Sequence, residues 1–594
     1  MAIRNAALAV RAGFLLAAGL LPITAQPDAG YAPALLDALD PTRIAEALCG
    51  PGASPMNPVR ALLAAAAVAA PASRTGAIPF YPDLARAAVP SASPNARAQR
   101  WFAQGLMLSY GFNHAGAVAS FRRAQALDLA CALCWWGEAM ALGPNINAPM
   151  DGRDRGAALA ALERAAALKA GASPVAQALI GALAARYSRD DTADRAALDA
   201  AYADAMLAVA ARYPTDDDVA VLTAEAVMDT SPWNYWQPDG KTPIGRSGEA
   251  VRLLEIVQAR TPGHPQAAHL YVHMLEASDP ARAEAAADRL AAGRVGGAGH
   301  LLHMPSHIWH LRGRYSDSIR ANIAGARADE AYIRATGDRS LVRYGYHPHN
   351  VHFIVTSAMM AGDIGTARRE AQRLRSLMDG ETSARIGWIQ AIDAAPYQVM
   401  AQFAAPEELL AMPAPDARLP LAAAMYHYAR AVAHAARRDE PGFAAELTAI
   451  RAQERSPGMA MLTQQAVPAA SLLALAAAAA RGRWAMAQGD YAGAAAHFRA
   501  AAAIEASLPY IEPPFWHYPI SQSLGAALHL AGDQAGASAA FRAALVRAPG
   551  NGWALFGLAR SEAAAGHKPE AAAATRAFRR AWAGDMRWLK VERL

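Results

Sequence analysis

Residues of fixed size recur at fixed intervals along this chain, and that recurrence limits the folds open to it more than any other feature. In "QRWFAQGLMLSYGFNHAGAVASFRRAQALD" Gly105, Ala117, Phe121 and Ala124 are separated by twelve, four and three residues; Gly525, Ala537, Phe541 and Ala544 repeat those intervals, followed by Pro549. A third stretch, "GDYAGAAAHFRAA", places Tyr491, Ala494, Phe498 and Ala501 in the same register. In a 34-residue frame opening at Ala98, Trp101, Gly105, Ala117, Phe121 and Ala124 take positions 4, 8, 20, 24 and 27, and the next frame, from Ala132, has Trp135 at 4 and Ala139 at 8. Steps of three and four keep side chains on one helix face. A period of this length means one helix pair per repeat, each repeat burying its neighbour's apolar face. Alternating strand patterns are missing.

Small residues at 8 and 20 facing bulky ones at 4 and 24 make these stretches resemble the tetratricopeptide repeat. With the N-terminal leader and "HMPSHIWHLRGRY", most of residues 95–585 resembles a group of large exported bacterial tetratricopeptide-repeat proteins. The resemblance implies an all-α fold, an α-solenoid of antiparallel helix pairs wound into a superhelix. It also implies a concave groove that takes a peptide, protein or small-molecule ligand, and it implies no reaction. The expected organisation is a leader over 1–72, N-terminal repeats over 73–260, histidine-rich repeats over 261–380 and C-terminal repeats over 381–594. Long inserted loops rich in Pro, Gly and aromatics interrupt the array at 142–154, 229–245 and 510–519. Ordered insertions of that length are often functional, although each alone reads first as a capping or packing loop.

The leader sends the protein out of the cytosol. "MAIRNAALAVRAGFLLAAGLLPITA" has a basic start and a short apolar run, and a second export signal follows from Met56, a candidate true start, with a small-residue site at Ala70-Pro71-Ala72. A periplasmic or secreted location is expected, and an oxidising compartment suits a disulfide between Cys131 and Cys134, three residues apart; a metal-ligand pair or reduced core cysteines are the alternatives. No stable membrane span is expected, since the alanine tract near 465–480 is broken by Pro468. Lys plus Arg is 56 against 51 Asp plus Glu, with lysine only at 169, 241, 568 and 590. Dispersed arginines without a basic stripe exclude a nucleic-acid partner from the leading readings.

Ten of the seventeen histidines fall between 264 and 352. Setting Gly313 at position 15 opens a frame at Gly299, and His300, His303, His307 and His310 take positions 2, 5, 9 and 12 on the groove side of the first helix. One period earlier stand His269 and His273, followed by Glu276; in the next repeat, opening at Pro348 after an insertion, His349 and His352 take 2 and 5. An i, i+4 pair can offer both imidazoles to one ion, and neighbouring first helices lie about 8–10 Å apart. His269, His273, His303, His307, His349 and His352 are therefore the candidate metal ligands, with Glu276 a ligand or a catalytic general base. The donor set suits transition metals, copper or zinc first and iron third. The chain is then a metal-dependent enzyme, or a metal carrier or sensor; the alternative is an adaptor whose histidines hydrogen-bond a peptide. Pro305, at position 7, is expected to kink the helix or delay its start, which would leave His300 and His303 on the incoming loop. Tyr344 and Tyr346 flank the third cluster, His114 reads as structural, and His517 reaches the groove only if the fold brings it there.

Overall fold

A computed structural model describes residues 78–594 except Ala88 and Arg294. The leader and Met56 lie outside the described residues. Within them the chain is helical from end to end, with two isolated bridges, Asn145–Ala148 and Trp236–Pro243, in place of any strand. Successive helices pack in pairs, Ala96–Tyr110 on His114–Leu127, Ala469–Gln488 on Tyr491–Ala506 and Ile520–Leu530 on Gln534–Arg547 among them. The fold is a tetratricopeptide-like α-solenoid.

The repeat register has a steric cause. Phe541 is fully buried between two first helices: a β-carbon added at Gly525 would lie 2.9 Å from its ring, and one added at Gly557, in the following repeat, 2.2 Å. Phe121 is clamped likewise between Gly105 and Gly137, at 2.7 and 2.5 Å. Position 24 is thus a wedge, admitted by glycine at position 8 of its own repeat and position 6 of the next. The turns have a common chemistry as well. Gly362, Gly489 and Gly532 end first helices in the left-handed conformation, and the aspartates that follow, Asp363, Asp490 and Asp533, cap the second helices by accepting a backbone N–H.

No single described helix is long and apolar enough to cross a membrane; Gly458–Gln464 and Ala469–Gln488 pass that test together but bend by 113° at their junction. Cys131, the N-cap of Ala132–Ala141, is disulfide-bonded to Cys134 with a Cα–Cα distance of 5.3 Å.

The superhelix curls until its C-terminal repeats meet the histidine-rich ones. Trp553 Nε1–H donates to Met359 O at 2.7 Å, and Ala583 N–H to Ala361 O at 2.9 Å. A β-carbon on Gly362 would collide with the Trp582 ring at 2.2 Å. That closure lays the 510–519 segment across the groove.

Candidate metal centre

Three first helices carry the histidines. Pro265–Leu275 starts with proline at N1, and His264 caps it by accepting the Ala267 N–H at 3.3 Å. His269 and His273 stand on one face of this helix, and Glu276 is its C-cap. The second helix is split by Pro305 into Gly299–His303 and Pro305–Leu311, but Met304 between them keeps helical dihedrals (φ −53°, ψ −35°). The chain kinks and continues, so His300 and His303 are helical, not on an incoming loop. The i, i+4 relation of His303 and His307 survives with ring centroids 4.6 Å apart. The third helix, His347–Ala361, follows directly on a π-helical turn, Val342–Tyr346, and presents His349 and His352.

These imidazoles are buried, none more than 8 % exposed. Donor atoms of His269, His273 and His300 lie within 4.8 Å of one another, and so do those of His303, His307 and His349. In four of the six imidazoles the Nδ1 atom lies against oxygen. His269 Nδ1–H donates to Gln266 Oε1 at 2.9 Å, the amide being oriented by its own donation to Glu225 at 3.1 Å. His303 Nδ1–H donates to Asn322 Oδ1 at 2.6 Å, oriented in turn by Asn322 donating to Ser318 O at 2.8 Å. His273 Nδ1–H donates to Glu276 Oε1 at 3.0 Å. His307 Nδ1 lies 2.6 Å from Glu276 Oε2 and also touches Glu512. Fixing the proton on Nδ1 leaves the Nε2 lone pair pointing inward, the arrangement by which metal-ligating histidines are oriented. Among the described residues His273 Nε2 has no hydrogen-bond partner, nor have His300 Nδ1 and His349 Nδ1.

The sharpest consequence falls on His303 and His307, whose Nε2 atoms face each other at 2.7 Å. At that distance one hydrogen is shared between them, from a neutral tautomer or from an imidazolium at His307, and a metal ion held by both nitrogens would spread them to about 3.3 Å. The surrounding charge favours a cation there. Burial works against charging His307, but Glu512 and Glu276 hold its pKa up at about 10. Burial would raise Glu276, yet His307 and His273 pull it down to about 2. Burial lifts Glu512 to about 7, with His307 opposing and Glu276 adding. Burial drives His269, His300, His303 and His349 well below the usual histidine range, so they stay neutral and available as ligands.

Glu276, expected as ligand or catalytic base, sets Oε1 3.0 Å from His273 Nδ1 and Oε2 2.6 Å from His307 Nδ1, beside both rings, and its carboxylate also converges with His307 and Glu512 as a third donor group. His352 joins neither trio; it faces His517 of the 510–519 segment, Nε2 to Nε2 at 2.9 Å. Sequence reasoning passed over His300 as a principal donor and missed Glu512 altogether.

A recess of about 490 Å³, counted to its open mouth, reaches the imidazoles. His273, His300, His307 and His349 form its floor. Its walls come from all three insertions: Asn147 from 142–154, Trp233 from 229–245, and Tyr510, Ile511 and Glu512 from 510–519, with Tyr346 and Trp388 beside them. Trp233 Nε1–H donates to Asn147 Oδ1 at 3.1 Å, tying two of the insertions together. Loops that each read as packing in the sequence therefore build one entrance. Tyr346 stands with its ring 5.1 Å from that of His300; Tyr344 is not part of the lining.

No protein-family model and no curated protein matches this chain. Among solved structures it is similar to the human IFIT1 dimer with m7Gppp-AAAA (11 % identity, 80 % of this chain and 94 % of that one, TM-score 0.29). It is also similar to yeast Tom70 (9 %, 82 % and 92 %, 0.26) and to Cut9 in the APC/C heterotetramer Cut9–Hcn1 (13 %, 82 % and 96 %, 0.23). Likeness at that level says nothing of what this chain binds.

Proposed function

We propose that this is an exported metalloprotein whose solenoid groove holds transition metal, copper or zinc before iron, on His269, His273, His300, His303, His307 and His349. One observation carries the reading: buried imidazoles from three helices converge, with the Nδ1 atoms of His269, His273 and His303 tied to oxygen and that of His307 set beside two carboxylates. A donor set made mostly of neutral imidazole, with Glu276 and Glu512 as its two carboxylates, suits copper and zinc better than calcium or magnesium. The recess opens over the imidazoles with room for water or a molecule of similar size, the access that a catalytic centre requires and a closed structural site lacks. When bound, the metal would supply Lewis acidity, or electron transfer if it is copper or iron. The chain's own residues orient the imidazoles through Glu276, Gln266 and Asn322 and exclude bulk water with Phe112, Trp233 and Trp388. Export is supported by the leader's composition and by the Cys131–Cys134 disulfide.

The test is metal analysis of protein purified from the periplasm without a histidine tag. At least one stoichiometric transition ion is expected, retained through gel filtration, with the metal content lowered in His303→Gln and His307→Gln variants that keep wild-type helicity. Metal-free protein that also refuses zinc and copper on loading returns the chain to the adaptor class.

A further inference from the structure

We infer that the groove is built for two transition-metal ions side by side, one in each of two equivalent imidazole trios that the repeat itself generates. This rests on reading the imidazoles as metal ligands; it adds the number of ions and the origin of their sites.

In the frame opening at Gly299, His303 and His307 occupy positions 5 and 9, and one period earlier the same positions hold His269 and His273. The third member of each trio is position 2 of the following repeat, His300 for the first and His349 for the second. Position 5 to position 9, the rings are 4.8 Å apart in the first trio and 4.6 Å in the second. Position 5 to the next repeat's position 2 measures 5.0 and 4.9 Å, and position 9 to that same residue 5.7 and 5.8 Å. Three independent separations agree to within 0.2 Å between two trios made from different helices. The ring planes are turned differently, 19° apart between His273 and His300 and 49° between His307 and His349, so the trios match in placement and differ in ring rotation. Their supports correspond too. Each position-5 imidazole donates to a side-chain amide, Gln266 or Asn322, and the two position-9 imidazoles share the Glu276 carboxylate, one oxygen each.

One ion cannot use both trios. Ligation at about 2.0–2.1 Å with tetrahedral angles spaces nitrogens about 3.3 Å apart, which satisfies three imidazoles and leaves one position open. His273 and His300 of the first trio and His307 and His349 of the second line the same recess, which therefore reaches both. The trios are neighbours, with rings 5.8 Å apart from His300 to His303 and 6.1 Å from His273 to His307. The series stops at two for a visible reason: the next repeat has His352 at position 5 but Thr356 at position 9, and His352 turns to His517 instead.

The experiment loads metal-stripped, untagged full-length protein with zinc and counts ions per chain after gel filtration, with copper as the spectroscopic probe. Wild type should retain two zinc ions. His300→Gln, which removes only the third member of the first trio, and His349→Gln, its counterpart in the second, should each retain one, and the double variant none. Copper needs no mutation: the second equivalent of Cu(II) should broaden and diminish the paramagnetic signal of the first, because neighbouring ions couple. A single zinc ion in wild type, or a second copper that adds an independent, unbroadened spectrum, overturns the two-ion inference and leaves metal binding standing. Failure to take up either metal overturns both.

Discussion

Replacing Glu276 with methionine separates the two trios, because the carboxylate is the sole partner of one histidine and a shared partner of another. His273 Nδ1–H has Glu276 Oε1 as its acceptor at 3.0 Å, whereas His307 Nδ1 touches Glu276 and Glu512 both. Methionine fills the space but accepts nothing useful. His307 then keeps Glu512. His273 is left with a buried, unsatisfied N–H, which costs about 1–3 kcal/mol, or escapes by moving the proton to Nε2 and ceasing to be a ligand. At 1.4 kcal/mol per decade, one ion should bind about 5–150-fold more weakly while the other changes little. Glutamine is the internal control. Its carbonyl can accept from His273 and its amide can donate to Glu512, so Glu276→Gln should retain most of the affinity. Competition against a chelator of known affinity, with stepwise constants fitted for zinc, reads both sites in one titration. Equal weakening of both sites by methionine, or losses by glutamine as large as those by methionine, would refute the assignment of Glu276 as an orienting acceptor.

Three further outcomes test the fold and its environment. Gly557→Ala places a β-carbon 2.2 Å from the buried Phe541 ring and should destabilise by about 1–3 kcal/mol, whereas Gly181→Ala, at an exposed helical glycine with open space around it, should stabilise by about 0.5–1 kcal/mol; paired thermal melts decide it. Protein recovered from an oxidising compartment should show no free thiol at Cys131 or Cys134 by alkylation and mass spectrometry, and the Cys131→Ser, Cys134→Ser double variant should lose about 2 kcal/mol for so short a loop. His114 is half-buried, beside Arg186, with its pKa pushed down to about 4 by desolvation first and that guanidinium second. The unfolded chain therefore binds more protons between pH 4 and about 6.5, so stability is full above that window and falls as pH drops through it. Denaturant midpoints should show His114→Gln losing about 2 kcal/mol less than wild type between pH 7 and pH 5.

What the sequence carried and what it did not divides along a physical line. Anything fixed by the repeat period was legible. The wedge at Phe541, the Gly-Asp turn at 532–533 and the histidine pairs 269/273 and 303/307 all recur because one helix pair repeats one geometry, and a count in the 34-residue frame finds them. Pro305 was legible as a disturbance but not in its outcome, because tertiary packing on both sides of the kink holds Met304 helical where local propensity favours a break. Glu512 and His517 were not legible. They reach the groove only because the superhelix closes, through contacts such as Trp553 with Met359 and Trp582 with Gly362, between residues some two hundred positions apart. His352 shows the same division from the other side. It sits at a position that the frame marks for ligation, but its trio needs a second donor at position 9, where the chain has Thr356. In a solenoid a binding site is therefore specified twice over: the period supplies a backbone position that faces the groove, and a site forms only where the residues at 5, 9 and the following 2 are ligands together. On that rule Thr356→His alone should not create a third trio, since the next first helix, Gly387–Phe403, offers no histidine to complete it.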